Sequence, residues 1–134
     1  MSIESEILRS NHVVAVVGLS SDPTRPSCRV ADFLRNNGYK VIPVNPKEEE
    51  LMGVTSYPSL SSIPEPVDVV DIFRKSEEVL PIVEEAIRIK AKVIWMQEGI
   101  SNEAAARTAR RAGLKVVMDK CMKKELTKLH EEEN

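Results

Sequence analysis

The chain has 134 residues, of which 42% are hydrophobic and 30% charged, and a formal net charge of −2. That length suits one domain burying about two-thirds of its unfolded surface, and the composition excludes a disordered chain. With Lys and Arg interspersed among Asp and Glu, no positive field exists for a nucleic acid.

The first ten residues, MSIESEILRS, lack the basic start and apolar core of a signal peptide, so a cytoplasmic setting is expected. The longest apolar stretch, Val13 to Leu19, falls far short of the roughly 20 residues of a membrane span. It opens the first expected strand, Val13–Val17 (VVAVV). A helix follows over Ser27–Asn37, with Val30, Ala31, Phe33 and Leu34 on one face and Gly38 as its stop. Lys40–Val44 (KVIPV) is the second strand. The Ser- and Pro-rich segment Gly53–Pro66 predicts a short edge strand near Thr55–Tyr57 and then a crossing loop. Val69–Phe73 is the next strand, followed by a helix from about Ser76, as cap, to Lys90. Val93–Met96, a helix over Ser101–Ala112 capped by Ser101, strand Lys115–Met118 and a charged helix from about Met122 to Glu132 complete the series.

Strands alternating with helices predict a doubly wound, mostly parallel α/β sheet of five to six strands with helices on both faces. The expected order is 3-2-1-4-5-6, a Rossmann-like arrangement with its switch point beside the first strand. We expect a single domain over residues 1–134, with its core at 12–126 and an acidic tail at 127–134, fraying at its end.

Ligands of such sheets bind at the carboxyl ends of the strands, so the informative residues follow each strand. After the first comes Gly18-Leu19-Ser20, then Arg25-Pro26-Ser27 at the start of a helix. A glycine, hydroxyl groups and a helix N-terminus make a phosphate-binding arrangement. The loop is not G-x-G-x-x-G, because Ser20 stands at the second glycine, which weakens a plain NAD reading. After the second strand, Asn45-Pro46-Lys47 replaces the acid of NAD enzymes and favours a phosphorylated ribose, as in coenzyme A or NADP; the same residues could simply start a turn. Phe73 could press on an adenine or a pantetheine arm, or be a core residue whose edge reaches the cleft. Arg74 can meet a phosphate, and Gln97-Glu98-Gly99 offers amide hydrogen bonds.

Cys28 falls in a first helical turn, where a dipole can lower a thiol pKa, and Cys121 lies at the cleft side of the last strand. The two cysteines are far apart and belong to no ligand-spaced cluster. No base is near either cysteine in sequence, and no carboxylate pair, triad or metal cluster emerges, so no catalytic or metal residue is assigned.

The segments VVGLSSDPTRPSCRVADFL, GYKVIPVNPKEEELMGVTSYPSL, IPEPVDVVDIFRKSEEV, WMQEGISNEAA and AGLKVVMDKCM, in that order, resemble the small stand-alone CoA-binding domain proteins. That family is related to the CoA-binding domain of the succinyl-CoA synthetase alpha subunit. The resemblance implies a CoA diphosphate against Gly18–Ser27, the 3′-phosphorylated ribose and adenine near Asn45, Pro46 and Lys47, and a pantetheine arm past Phe73 and Gln97-Glu98. It implies no ligase activity, because the synthetase's second domain and phosphohistidine loop have no counterpart in the sequence. Cys28 departs from the family's pattern, so no role passes to it.

The expected function is therefore non-catalytic binding of CoA or acyl-CoA by a carrier, sensor or partner module. The alternatives are an NADP-binding oxidoreductase or redox sensor, and CoA thiol or disulfide chemistry at Cys28 or Cys121. A homo-oligomer or a protein partner is left open.

Overall fold

The computed structural model describes residues 2–133. Its five-stranded sheet consists of β1 (Val13–Val17), β2 (Lys40–Val44), β5 (Val69–Ile72), β6 (Val93–Met96) and β7 (Lys115–Val117). All pairings are parallel, in the order β2-β1-β5-β6-β7, and the register sets Val17 beside Val44 and Ile72. The expected fold class is the observed one.

Strand residues alternate between two cores, as a sheet covered on both faces requires. Ala15, Val17, Val70, Ile72 and Ile94 face α3 (Val79–Arg88) and α4 (Glu103–Arg111). Val14, Val16, Val69 and Trp95 face α1 (Ile3–Ser10), α2 (Pro26–Asn36) and α5 (Met122–Glu133). On this second face Lys123 Nζ lies 5.3 Å from the Phe33 ring centre, joining α5 to α2.

The expected third strand takes another form. Glu50–Leu51 (β3) and Val54–Thr55 (β4) form a separate antiparallel hairpin. Its two turn residues, Met52 and Gly53, both have positive φ, 55° and 76°, as a type I′ turn demands. Among the described residues of this segment, Tyr57 alone reaches the edge of the main sheet, through one parallel bridge to Val44. Pro58 follows directly, and its missing N–H falls on the side turned away from β2.

Helix α1 was not among the expected elements. Ser2 caps it by accepting from the Ser5 amide at 3.1 Å, and Ile7 and Leu8 are fully covered. Two expected caps are corrected as well. Asn102, not Ser101, caps α4 by accepting from the Ala105 amide at 2.9 Å. A short 3₁₀ turn over Ser76–Glu78 precedes α3, and the Ser76 hydroxyl instead accepts from the Ser101 amide at 3.1 Å. Pro81 sits in the first turn of α3, where its missing N–H costs nothing. At the other terminus, Leu126 and Leu129 are buried and α5 continues through Glu133, while Asn134 of the expected tail lies outside the described residues.

Candidate functional site

The chain leaves β1 toward β2 on one side and reaches β5 on the other, so a crevice opens above the ends of these three strands. Gly18 stands at its centre. Its amide donates to the Val44 carbonyl at 3.0 Å, and its φ of +89° suits glycine. A Cβ there would approach both Arg74 Cδ and the Phe73 carbonyl oxygen to 3.0 Å. Glycine thus permits the close approach of the first loop to the end of β5.

Two hollows share this glycine. One, of about 300 Å³, is lined by Gly18, Ser20, Arg25, Pro26, Ser27 and Phe73. The second, of about 500 Å³, has an apolar wall of Val17, Val44, Pro46, Pro58, Leu60 and Ile82, with Asn45, Arg74, Glu77 and Glu78 among its polar lining. Nine of the fourteen expected ligand residues, from Gly18 to Arg74, line one hollow or the other.

The loop above the smaller hollow is held by its own side chains. Ser27 Oγ accepts from the Ser20 amide at 3.1 Å, and Ser20 Oγ accepts from the Asp22 amide at 3.0 Å. Asp22 Oδ1 accepts from the Thr24 amide and hydroxyl, and these bonds hold its carboxyl below the ordinary range. Arg25 occupies the N-cap position of α2 without a side-chain cap bond, and Pro26 follows it. A helix N-terminus without a side-chain cap, beside a cationic residue and a buried hydroxyl, is suited to an anion.

The other expected residues are engaged elsewhere. Leu19 is buried in the α2-side core. Asn45 lines the larger hollow, but both ends of its amide are taken: Nδ2 donates to the Leu19 carbonyl at 2.8 Å and Oδ1 accepts from the Lys47 amide at 2.8 Å. It therefore braces the first loop against the end of β2, while Lys47 is exposed outside both hollows. Arg74 is paired with Glu78 at 2.6 Å. Gln97 is buried against Asp71, Glu98 pairs with Lys124 at 2.9 Å, and the Gly99 amide donates to Asp119 at 2.6 Å.

Sequence reasoning missed the apolar wall formed by Pro58, Leu60 and Ile82, which comes from the crossing loop and the first turns of α3. Glu85 fixes that loop, accepting from the Leu60 and Ser61 amides at 3.2 Å and from the Ser61 hydroxyl at 2.8 Å. It also missed Asp71, an acid in the middle of an apolar strand.

The two cysteines have different surroundings. Cys28 is half-buried and its thiol donates to the Ser20 carbonyl at 2.9 Å. Burial pushes its pKa up, against the lowering that a helix N-terminus could give. Cys121 packs at the margin of the α2-side core. His12 is stacked on Tyr39 at 5.0 Å, beside the start of β1 and thus at the opposite end of the sheet. Among the described residues, no cluster of His, Cys, Asp and Glu could hold a metal, and no helix is long and apolar enough to cross a membrane.

Comparison with known proteins identifies the family. Residues 12–127 match the family described as CoA binding domain. The uncharacterized protein YneT of Bacillus subtilis is 42% identical over 118 residues, covering 88% of this chain and 87% of that protein. A hypothetical protein from Pyrococcus horikoshii OT3 superposes with a TM-score of 0.92 at 41% identity, covering 95% of this chain and 89% of the other. The ADP-forming acetate–CoA ligase I of Archaeoglobus fulgidus is 33% identical over 120 residues, which are 82% of this chain but only 18% of the ligase. With a family match across most of its length, the chain belongs to the CoA-binding domain family.

Proposed function

We propose that the protein binds coenzyme A or an acyl-CoA in the strand-end crevice, without performing chemistry on it, as a cytoplasmic carrier, sensor or partner module. The observation that carries this reading is the two-part crevice at Gly18. Its small hollow offers the α2 N-terminus, Arg25 and Ser27 to a diphosphate, and its larger hollow offers an apolar slot to a flat base. The adenine would lie against Val44, Pro46 and Leu60. Arg74, between the two parts, would leave Glu78 to meet a phosphate.

The absence of an acid after β2 is equally compatible with NADP, so the test sets the two ligands side by side. CoA should raise the unfolding temperature, corresponding to about 2.7 kcal/mol of added stability at a hundredfold excess over its dissociation constant. NADPH should stabilise far less. Preferential stabilisation by NADPH, or none by CoA at millimolar concentration, refutes the reading. Mass spectrometry of protein purified without reductant should show no adduct of CoA mass on Cys28, whose thiol is held protonated and hydrogen-bonded.

A further inference from the structure

Strand β5 reads Val-Val-Asp-Ile, and its acid is fully buried. A carboxylate in such a place is costly unless its lone pairs are met. Asp71 Oδ1 accepts a 2.6 Å hydrogen bond from Gln97 Nε2, whereas Oδ2 has no partner. Gln97 is the residue directly after β6 and is itself only 3% exposed. The alternation of side chains along a strand puts Asp71 on the same face as Phe73, two residues on, and Phe73 lines the smaller hollow. The Asp71–Gln97 pair thus lies one step deeper on the face that carries the phosphate loop.

A primary amide holds its oxygen and nitrogen on one planar carbon, so an Nε2 directed at Asp71 turns Oε1 away from it. We propose that Asp71 is a positioning residue for the ligand site: it holds the Gln97 carbonyl toward the strand ends, where it accepts a hydrogen bond from a ligand amide or hydroxyl. This rests on the CoA reading and deepens it, since the pantetheine arm carries secondary amide N–H groups and the adenosine bisphosphate part does not.

The orientation depends on the charge of Asp71. An ionised carboxylate can only accept, which enforces the arrangement, whereas a neutral acid can also donate and leaves Gln97 free to turn over. Burial pushes the Asp71 pKa up to about 7, with the Gln97 bond opposing it, so both forms are populated near neutrality. The titratable side chains around this core are Cys28 from α2, Cys121 ahead of α5, Lys123 of α5 over Phe33 and Tyr39 ahead of β2, with Arg25 above in the loop. Strands β1 and β6 and helix α1 contribute Val16, Trp95, Ile7 and Leu8. None of these groups contributes to the shift of Asp71.

The test begins with the ligand-free wild-type protein and so depends on no variant folding. The Asp71 side-chain ¹³C signal and the Gln97 side-chain amide signals are followed by NMR from about pH 5.5 to 8.5, a range that brackets an ordinary titration near neutrality. Both should move with one midpoint, and Asp71→Asn should leave the Gln97 signals still. Gln97 signals that stay fixed while Asp71 titrates overturn the proposal, as does an Asp71 that does not titrate in that range.

Calorimetry then compares CoA with adenosine 3′,5′-bisphosphate at pH 8. Asp71→Asn should weaken CoA about tenfold, the value of one hydrogen bond, and leave the bisphosphate unchanged. An equal loss for both ligands would mean general damage and refutes the positioning role. Failure of the wild type to bind either ligand refutes the CoA reading itself, and the NMR result still decides how Gln97 is held.

Discussion

The two ends of the sheet carry hollows of nearly equal size and opposite character. At the carboxyl ends of the strands, about 500 Å³ opens at Gly18, and the smaller hollow that shares this glycine lies at the N-terminus of α2. At the amino ends, about 550 Å³ is lined by Ser10, Asn11, Lys90, Lys92, Ala112, Gly113 and Lys115 among others. The second hollow has three lysines, and charge alone would nominate it for an anion. Yet α1, α3 and α4 all end there, presenting the negative ends of their dipoles, and the amides of Lys90, Ala91, Lys92, Val93, Gly113, Leu114 and Lys115 all donate to backbone carbonyls. The lysines answer the helix ends and nearby acids, Lys92 lying 3.4 Å from Asp68 and Lys115 3.5 Å from Glu6. Cavity volume and side-chain charge do not separate the two hollows; the direction of the backbone does.

The strongest way to break that contrast is at Gly18. Gly18→Ala should abolish CoA binding, with affinity lowered a hundredfold or more, about 3 kcal/mol, because its Cβ meets the Phe73 carbonyl in a left-handed backbone. Calorimetry checks this, and near-normal affinity would show that the close approach is dispensable.

A different quantity, stability rather than affinity, responds to pH. The folded pKa of Asp71, about 7, lies above the ordinary 3.8, so between these values the folded chain keeps a proton that the unfolded chain has lost. Stability should fall as pH rises through this window, by on the order of 4 kcal/mol, and level off above it. Asp71→Asn should remove most of that slope in urea titrations at pH 5 and 8; parallel curves for the two proteins would contradict it.

Arg25→Ala should weaken CoA by about tenfold and reduce its salt dependence, as loss of one exposed phosphate partner implies. An affinity unchanged at low salt would place the diphosphate elsewhere. The smallest expected effect is at the other end of the sheet, where Lys90→Ala with Lys92→Ala should alter CoA affinity by no more than about twofold, as for charges a Debye length or more from the ligand. A larger loss would move the anion site to that end.

The sheet was legible because its apolar runs are bounded by clear punctuation, and β1, β2 and β6 fall on the expected residues. Helix α1 was not, since Ile3, Ile7 and Leu8 form too short a stripe to identify a helix, and its burial comes from packing on α5. The small hollow could be read from Gly18, Ser20, Arg25, Ser27 and Phe73, because residues after strands converge whatever the details of the loops. Pro58, Leu60 and Ile82 could not, because a crossing loop and a helix meet there only in the folded chain. Asn45 was legible as a residue at the crevice, but its use as a brace follows from the position of the Leu19 carbonyl, which no spacing reveals. Asp71 was visible as an acid in an apolar run; its burial and its glutamine partner required the register of β5 with β6.

The lone bridge at Tyr57 has a consequence for association. Pro43 turns its carbonyl outward to the Tyr57 amide, at 3.0 Å, so the N–H that proline lacks is missing from the open edge of the sheet. Beyond Tyr57, Pro58 withholds another donor, and at the far edge β7 offers only three residues, led by a lysine. Neither border gives an incoming strand a continuous ladder, so the sheet is guarded against strand addition and the aggregation that follows from it. If copies of this chain associate, pairing of main-sheet edges is a poor route to it.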